Sequence, residues 1–409
     1  MKKRLAAISM TVVLTAALLA GCGTKTNSTS DNSGNNSDSS TPTATEAASG
    51  SAGSGDTIKI GTISPNTGSL AAYGEAVVNA MNLAVDEINA AGGILGKQVK
   101  LDSLDDKGDS TEGANAFNKL ADDASICAVI GSVTSGVTTG LAPLADESKI
   151  VLLTPTATAD TVTETDDYVF RACFKDSYQG KMAAKFAAEK LGVKKVAVLY
   201  ASGDAYSSGL HEAFIAAAKE FGLDVVAEES SSSVDDTEYS SQLTNIANSG
   251  AEFLFAPYYY SSVGPYIIPQ ARAAGFSGVI MGADGFDGTI GTMTDDKSLY
   301  NNVFFTNHYS PDDTSAAVQN FVKAYSDKYG ADSLNALAAL AYDSVYMLKQ
   351  SIEKAGSTDR TAIRDAMSGM SFSGVTGSFT LDETGTPEKS VAIIEFKDGK
   401  AVWNSTLGN

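Results

Sequence analysis

The sequence predicts an α/β protein of two similar lobes, each a doubly wound parallel sheet. Three observations predict it. Short apolar runs alternate with amphipathic ones from Thr57 onward, and the alternation restarts near Lys194. The chain, at 409 residues, is also long enough to bury two cores. Alternation of this kind implies right-handed crossovers and sheets covered by helices on both faces.

The elements follow in order. Ile58 to Ile63 reads as a strand. Glu75 to Asn89 places Val77, Met81, Leu83, Ala84, Val85 and Ile88 at helical spacing, and Gly92-Gly93 stops it. Val99 to Asp102 is the next strand, Ala114 to Asp122 the next helix, and Ile126 to Ile130 a strand running into Gly131-Ser-Val-Thr-Ser-Gly-Val-Thr-Thr-Gly140. Ile150 to Leu153 follows as a strand. In the second half, strands are expected at Lys194 to Tyr200, Asp224 to Ala227, Ala251 to Ala256 and Gly278 to Met281. Helices lie between them at Gly209 to Phe221, Ser241 to Ser249 and Tyr266 to Ala274. Ligands of such sheets bind beyond the carboxyl ends of the strands, so two facing sheets would share one ligand.

A formal charge of −20, with no cluster of Lys and Arg, argues against nucleic acid. The two histidines, His211 and His308, are far apart, and no Cys or His cluster has zinc-ligand spacing. No metal and no cofactor are expected, nor a His-dependent active site. No Gly-x-Ser-x-Gly elbow occurs and no cysteine has an evident base, so the chain does not read as an enzyme. The acidic pairs Asp105-Asp106, Asp122-Asp123 and Asp235-Asp236 read as solvated faces or turns. Cys127 and Cys173 lie in strand-like runs and read as buried free thiols, with a disulfide between them as the competing reading outside the cytoplasm.

At the N-terminus, Lys2, Lys3 and Arg4 precede an apolar span from Leu5 to Ala20 and then Gly21-Cys22. The span is shorter than the roughly 20 residues a transmembrane helix needs. A basic head, a short apolar span and a small-residue site make a secretory signal. Leu19-Ala20-Gly21-Cys22 resembles the bacterial lipoprotein box, which implies a signal peptide over 1–22, an acylated Cys22 and a membrane-anchored, extracytoplasmic protein. Residues 23–55 are almost all Ser, Thr, Asn, Gly, Asp and Ala, and read as a disordered tether. Its random-coil reach is roughly 30 Å.

The glycine-rich loop after Ile130 has the layout of an anion cradle. A P-loop needs Gly-x4-Gly-Lys-Ser/Thr, and Val137 stands where the lysine belongs after Gly131 and Gly136. What remains is backbone N–H groups and hydroxyls at a helix N-terminus, which favour a carboxylate.

Gly61-Thr-Ile-Ser-Pro-Asn-Thr-Gly68, Tyr73-Gly74-Glu75 and Ala84 to Gly96 closely resemble the start of type I periplasmic binding proteins, in the leucine/isoleucine/valine-binding group of ABC importers. The resemblance continues through Gly131 to Ser135, Thr154 to Thr158, Val169-Phe170-Arg171, Gln270-Ala271-Arg272 and Ala341-Tyr342-Asp343. It implies a three-strand hinge, with lobe 1 at 56–174 plus 303–374 and lobe 2 at 175–302 plus 375–409. Ser135 and Thr158 would then donate hydroxyls to the α-carboxylate of an amino acid. The backbone of Thr156 to Thr158, Ala157 included, would add contacts, and Thr134 would line the side-chain pocket with Leu337. Capping of the following helices is the competing role for Ser135 and Thr158. Asp284 matches the family's acid for the ammonium, with Asp287 its nearest competitor. Tyr259 matches a hydrogen-bonding position, with Tyr258 in reserve because Pro257-Tyr-Tyr-Tyr260 leaves the register open. Tyr206 and Tyr73 match aromatics that close on the ligand from the two lobes. Family members commonly carry Tyr-Gly where this chain has Tyr206-Ser207. Arg171 is read as structural, pairing with a carboxylate near a crossing. The resemblance implies a monomeric receptor that captures an amino acid, first a branched-chain one, and delivers it to ABC permease subunits. The competing reading is a sensor of amides, urea or other amino acids, and with no signalling segment after Asn409 it would need a separate partner.

Overall fold

A computed structural model describes residues 57–164 and 167–408 of the chain. Cys22 and the 23–55 segment lie outside them. Residues Ser54–Asn409 form one compact unit.

In the first lobe, strands β1 (Ile58–Ser64), β2 (Val99–Asp105), β3 (Ile126–Ile130), β4 (Val151–Thr154) and β5 (Val169–Arg171) form a wholly parallel sheet in the order β2-β1-β3-β4-β5. β3 and β4 are buried at every position, as the apolar runs of a doubly covered sheet must be. The helices Ala71–Ala90, Ser110–Ala121 and Ser135–Ser148 link the strands, and Ala336–Ala355 packs along the first of them. Asp109 caps the second helix by accepting from the N–H groups of Thr111 and Glu112.

The second lobe holds β6 (Lys195–Ala201), β7 (Asp224–Ser231), β8 (Phe253–Phe255), β9 (Val279–Gly282) and β10 (Val303–Asn307), all parallel. The hairpin β11 (Ser371–Gly374) and β12 (Gly377–Thr380) is a separate two-stranded sheet. β13 (Val391–Lys397) and β14 (Lys400–Leu407) then extend the second sheet antiparallel, giving the order β14-β13-β10-β9-β8-β6-β7. The second sheet is therefore mixed at one edge. In each sheet the winding direction reverses beside the first strand of the lobe, between β1 and β3 and between β6 and β8.

Two expected lobe boundaries shift. Residues 303–307, assigned above to the first lobe, are β10 and pair with β9 and β13 of the second. Residues 375–386, assigned to the second, stay on the first. The Asp343 carboxylate accepts the N–H groups of Val375 and Thr376, and Arg171 N–H donates to the Gly385 carbonyl. The apolar runs are the same in either assignment, and only pairing partners tell the lobes apart.

The three crossings are tied to one another. Lys389 Nζ, buried on the third, donates to the Ala172 carbonyl of the first at 2.7 Å and to Thr376 Oγ1 at 3.0 Å. His308, on the second, stacks on Phe174 of the first at 3.8 Å between ring centroids. Burial pushes the Lys389 ammonium down to about 8, against the pull of Asp343. Cys127 and Cys173 are free and buried, with burial raising both thiols.

Candidate functional site

A small cavity of about 20 Å³ lies between the lobes, at the carboxyl ends of β3, β4, β6, β8 and β9. A space of that size holds about one water, so a metabolite needs the lobes to part further. Tyr73, Val133, Thr134, Ser135, Thr156 and Leu337 line it from the first lobe, and Tyr206, Tyr259, Asp284 and Gly285 from the second. Seven of the nine expected site residues thus share one cavity, together with Leu337. Ala157 and Thr158 stand behind it.

The first-lobe wall is a helix N-terminus. Gly131 turns the chain at φ +138°, where a Cβ would meet the Ile63 carbonyl oxygen at 2.3 Å, so only glycine fits. Ser132 then donates to Asp106 Oδ2, and Asp106 Oδ1 accepts Gly108 N–H. Asp106 is fully buried, not solvated as its acidic pair implied, and burial raises its carboxyl. Thr134 is the N-cap of Ser135–Ser148, but its side chain makes no cap bond. Ser135 Oγ accepts Ala159 N–H at 3.1 Å, which leaves its proton to donate. Neither Ser135 nor Thr158 caps a helix with its side chain. Thr156 is partly committed: its hydroxyl donates to the Val133 carbonyl at 2.7 Å, and its N–H reaches Thr154 Oγ1 at 3.3 Å.

Arg171 shapes this wall from beneath. It is fully buried, and its terminal nitrogens donate to the carbonyls of Ala157, Thr158, Ala159 and Asp160 and to Thr163 Oγ1. Among the described residues it has no carboxylate partner of the kind expected. Backbone carbonyls take up the two terminal nitrogens, Nε has no hydrogen-bond partner among the described residues, and the result is a fixed Ala157–Asp160 segment.

The second-lobe wall is built around Asp284, 4% exposed. Its Oδ1 accepts from Tyr206 Oη at 3.0 Å and Gln179 Nε2 at 3.1 Å, and its Oδ2 from His308 Nε2 at 3.0 Å. The carboxylate fixes the imidazole proton on Nε2, and burial lowers the His308 pKa, so the ring stays neutral near pH 7. Asp287 is excluded from the cavity, because its Oδ2 accepts from Asn307 Nδ2 and Ala336 N–H, each at 2.8 Å. The tyrosine register also resolves. Tyr259 stacks on Tyr206 at 5.0 Å in the cavity, while Tyr258 is fully buried elsewhere and bonds Ser231 Oγ at 2.8 Å. Burial raises the phenols of Tyr73, Tyr206 and Tyr259, keeping them protonated as donors. The serine at 207 is accommodated by its own bond, accepting Ala201 N–H at 2.8 Å.

The lobes meet over the cavity. Tyr73 Oη donates to the Gly285 carbonyl at 2.6 Å, and Tyr260 Oη donates to the Ser69 carbonyl and accepts Ala72 N–H. A Cβ at Gly285 would lie 2.7 Å from Tyr206 Oη, so the close approach of these walls requires glycine there.

Sequence reasoning missed Gln179 and set His308 aside. Nothing in Asp176-Ser-Tyr-Gln-Gly180 marks the glutamine. His308 had a readable signal: it follows the carboxyl end of a parallel strand, where ligands gather.

A two-lobed α/β body with an acid and a helix N-terminus facing one interlobe cavity defines a solute-binding fold. The chain belongs to the periplasmic binding protein family, whose model matches residues 57–401. Among its relatives, the Leu/Ile/Val-binding protein homolog 3 of Brucella melitensis is 33% identical over 84% of this chain and 93% of its own length. The Leu/Ile/Val-binding protein BraC3 of Rhizobium johnstonii is 34% identical, with the same coverage. The crystal structure of leucine-binding protein LivK from Thermotoga maritima matches with TM-score 0.79 and 33% identity, covering 86% of this chain and 98% of that one. LivJ from Streptococcus pneumoniae, solved with isoleucine, gives 0.78 and 33%, covering 86% and 99%.

Proposed function

We propose that the protein is the extracytoplasmic substrate-binding component of an ABC importer, taking an amino acid with a branched aliphatic side chain. One observation carries the reading: the buried Asp284 carboxylate and the N-terminus of Ser135–Ser148 line one cavity from opposite lobes. In this reading the α-ammonium docks on Asp284, with Tyr259 beside it. The α-carboxylate takes the Ser135 hydroxyl and the first-turn N–H groups. Tyr73, Thr134 and Leu337 surround the side chain. Thr156, Ala157 and Thr158 shape the carboxylate end, the last two through the backbone that Arg171 holds. Charged groups that lose water on closure need partners inside, which is why hydroxyls stand on one lobe and an acid on the other. The role is binding and delivery rather than catalysis, and ligand acts by shifting the lobes toward the closed form that a permease recognises. The relatives' names, with the isoleucine bound by LivJ, support the choice of ligand.

Calorimetric titration of residues 56–409, unfolded and refolded to strip ligand, against the twenty amino acids tests the reading. Tight binding of Leu, Ile or Val is the expected result, and silence across the panel would overturn it. We further infer that Cys22 carries a lipid anchor, because it ends a lipoprotein-like leader. Cys22→Ser is expected to release the protein from membranes into the medium or periplasm. Membrane retention of that variant would remove the anchor.

A further inference from the structure

Asp176 opens the helix Asp176–Lys185 at the first crossing and has no part in the ligand scheme above. It is 1% exposed. Its Oδ1 lies 3.4 Å from Gln179 Nε2, the same nitrogen that reaches Asp284 Oδ1 at 3.1 Å. One neutral amide thus bridges two buried carboxyl groups. Asp176 Oδ2 is buried without a hydrogen-bond partner in good geometry, and so is Thr158 Oγ1. The two orphaned oxygens belong to adjoining residues. Asp176 N–H donates to the Thr158 carbonyl at 2.8 Å, and the Thr158 hydroxyl stands near enough to act on the Asp176 carboxyl.

The groups facing Asp176 come from both lobes. Asp284 lies across Gln179, Asp160 at the preceding turn, and Arg171 on β5. The Tyr206 and Tyr259 phenols and the Cys173 thiol also share its field. Arg171 is the one cation among them, and its terminal nitrogens are committed to backbone carbonyls and Thr163. Burial first and Asp284 second push the Asp176 carboxyl well above the usual carboxylate range, against the pull of the Thr158 hydroxyl and Arg171. A zwitterionic ligand brings one ammonium, which answers one carboxylate. A second ionised carboxylate beside it would be an uncompensated buried charge.

We propose that Asp176 is a proton-bearing partner of the ligand cleft: it is the neutral acid in the closed form, its O–H donating to Thr158 Oγ1, so that ligand capture takes up one proton from solvent. This rests on the amino-acid reading above. The step is a carboxylate plus a solvent proton giving a carboxylic acid, and no bond in the ligand changes. With Thr158 Oγ1 accepting from Asp176, the threonine's own proton is free to donate toward the ligand carboxylate. Parting the lobes separates first-lobe Thr158 and Arg171 from second-lobe Asp284 and Tyr206, and admits water in which Asp176 ionises.

The test is calorimetry with leucine between pH 6 and 8.5, in buffers of low and high ionisation enthalpy. The expected result is uptake of one proton, with affinity falling about tenfold per pH unit where uptake is complete. Asp176→Asn, the isostere of the neutral acid, is expected to bind leucine without that slope. Asp160→Asn makes the same change of charge nearby and should keep it. A wild-type slope of zero, or a slope lost in His308→Gln and kept in Asp176→Asn, overturns the proposal. Urea unfolding in saturating leucine gives a second reading. The closed, leucine-bound chain keeps a proton that the unfolded chain has lost, so wild-type stability should fall, relative to Asp176→Asn, as pH rises above the usual carboxylate range. Parallel curves also overturn it. Absence of binding to any amino acid would instead sink the ligand assignment and this proposal with it, whereas binding without a slope sinks this proposal alone.

Discussion

The first lobe meets the cavity mainly with two short chain segments, 131–135 and 154–158, whereas the second brings Tyr206, Tyr259 and Asp284 from three separate strand ends. The first wall is neutral and works through hydroxyls and a helix dipole. The second holds a carboxylate and braces it with donors from Tyr206, Gln179 and His308. A dipole is fixed by the backbone that forms it. A buried charge stays in place only if every bond around it is supplied, so the second wall takes more of the chain to build.

Breaking the second wall should therefore cost most. In the proposed binding scheme Asp284→Ala leaves the ligand ammonium without its counter-charge, and it is expected to weaken binding by about 3–5 kcal/mol, the cost of removing one partner from a buried pair. Titration with leucine reads the loss, and an unchanged unfolding midpoint checks the fold. Affinity within threefold of wild type would take Asp284 out of the site.

The hinge gives the next effect, seen in stability rather than affinity. Lys389 sits at about 8 when folded, and a free lysine near 10.4. Between those values the unfolded chain binds more protons, so stability rises with pH through that window, by up to about 2–3 kcal/mol. Urea unfolding from pH 7.5 to 10, compared with Lys389→Met, separates this rise from the rest of the chain. A flat difference would mean that the ammonium is better solvated than its burial implies.

Ser135→Ala sharpens the comparison from the first wall, with an expected loss of about 1–3 kcal/mol in affinity for a hydrogen bond to a charged group. A loss below a few tenths would return Ser135 to supporting Ala159 alone. Tyr260→Phe removes bonds between the lobes at the rim and should weaken binding by about 0.5–1.5 kcal/mol. The loss should appear in the dissociation rate, because closure is what it supports.

The same asymmetry decided what could be read from the sequence. Gly131 to Ser135 and Thr154 to Thr158 are continuous stretches whose glycine and hydroxyl content states their role. The second wall is discontinuous. Asp284 was legible through its strand end and the following glycine, but Gln179 bonds to it across 105 residues. Only folding brings that amide there. The pairing of residues 303–307 with the second sheet was hidden for a related reason, since an apolar run does not name its neighbour. Arg171 was legible as structural, yet its partners are carbonyls, which every residue carries and no composition reveals.

The ties among the three crossings have a mechanical consequence. Stacking of His308 on Phe174, and the reach of Lys389 to Ala172, pin the connecting strands into one axle. Lobes mounted on a pinned axle are expected to swing about it rather than slide past each other. The outer surface then carries one number, the opening angle. A protein touching both lobes at their rims could read whether the seat inside is taken without contacting the occupant.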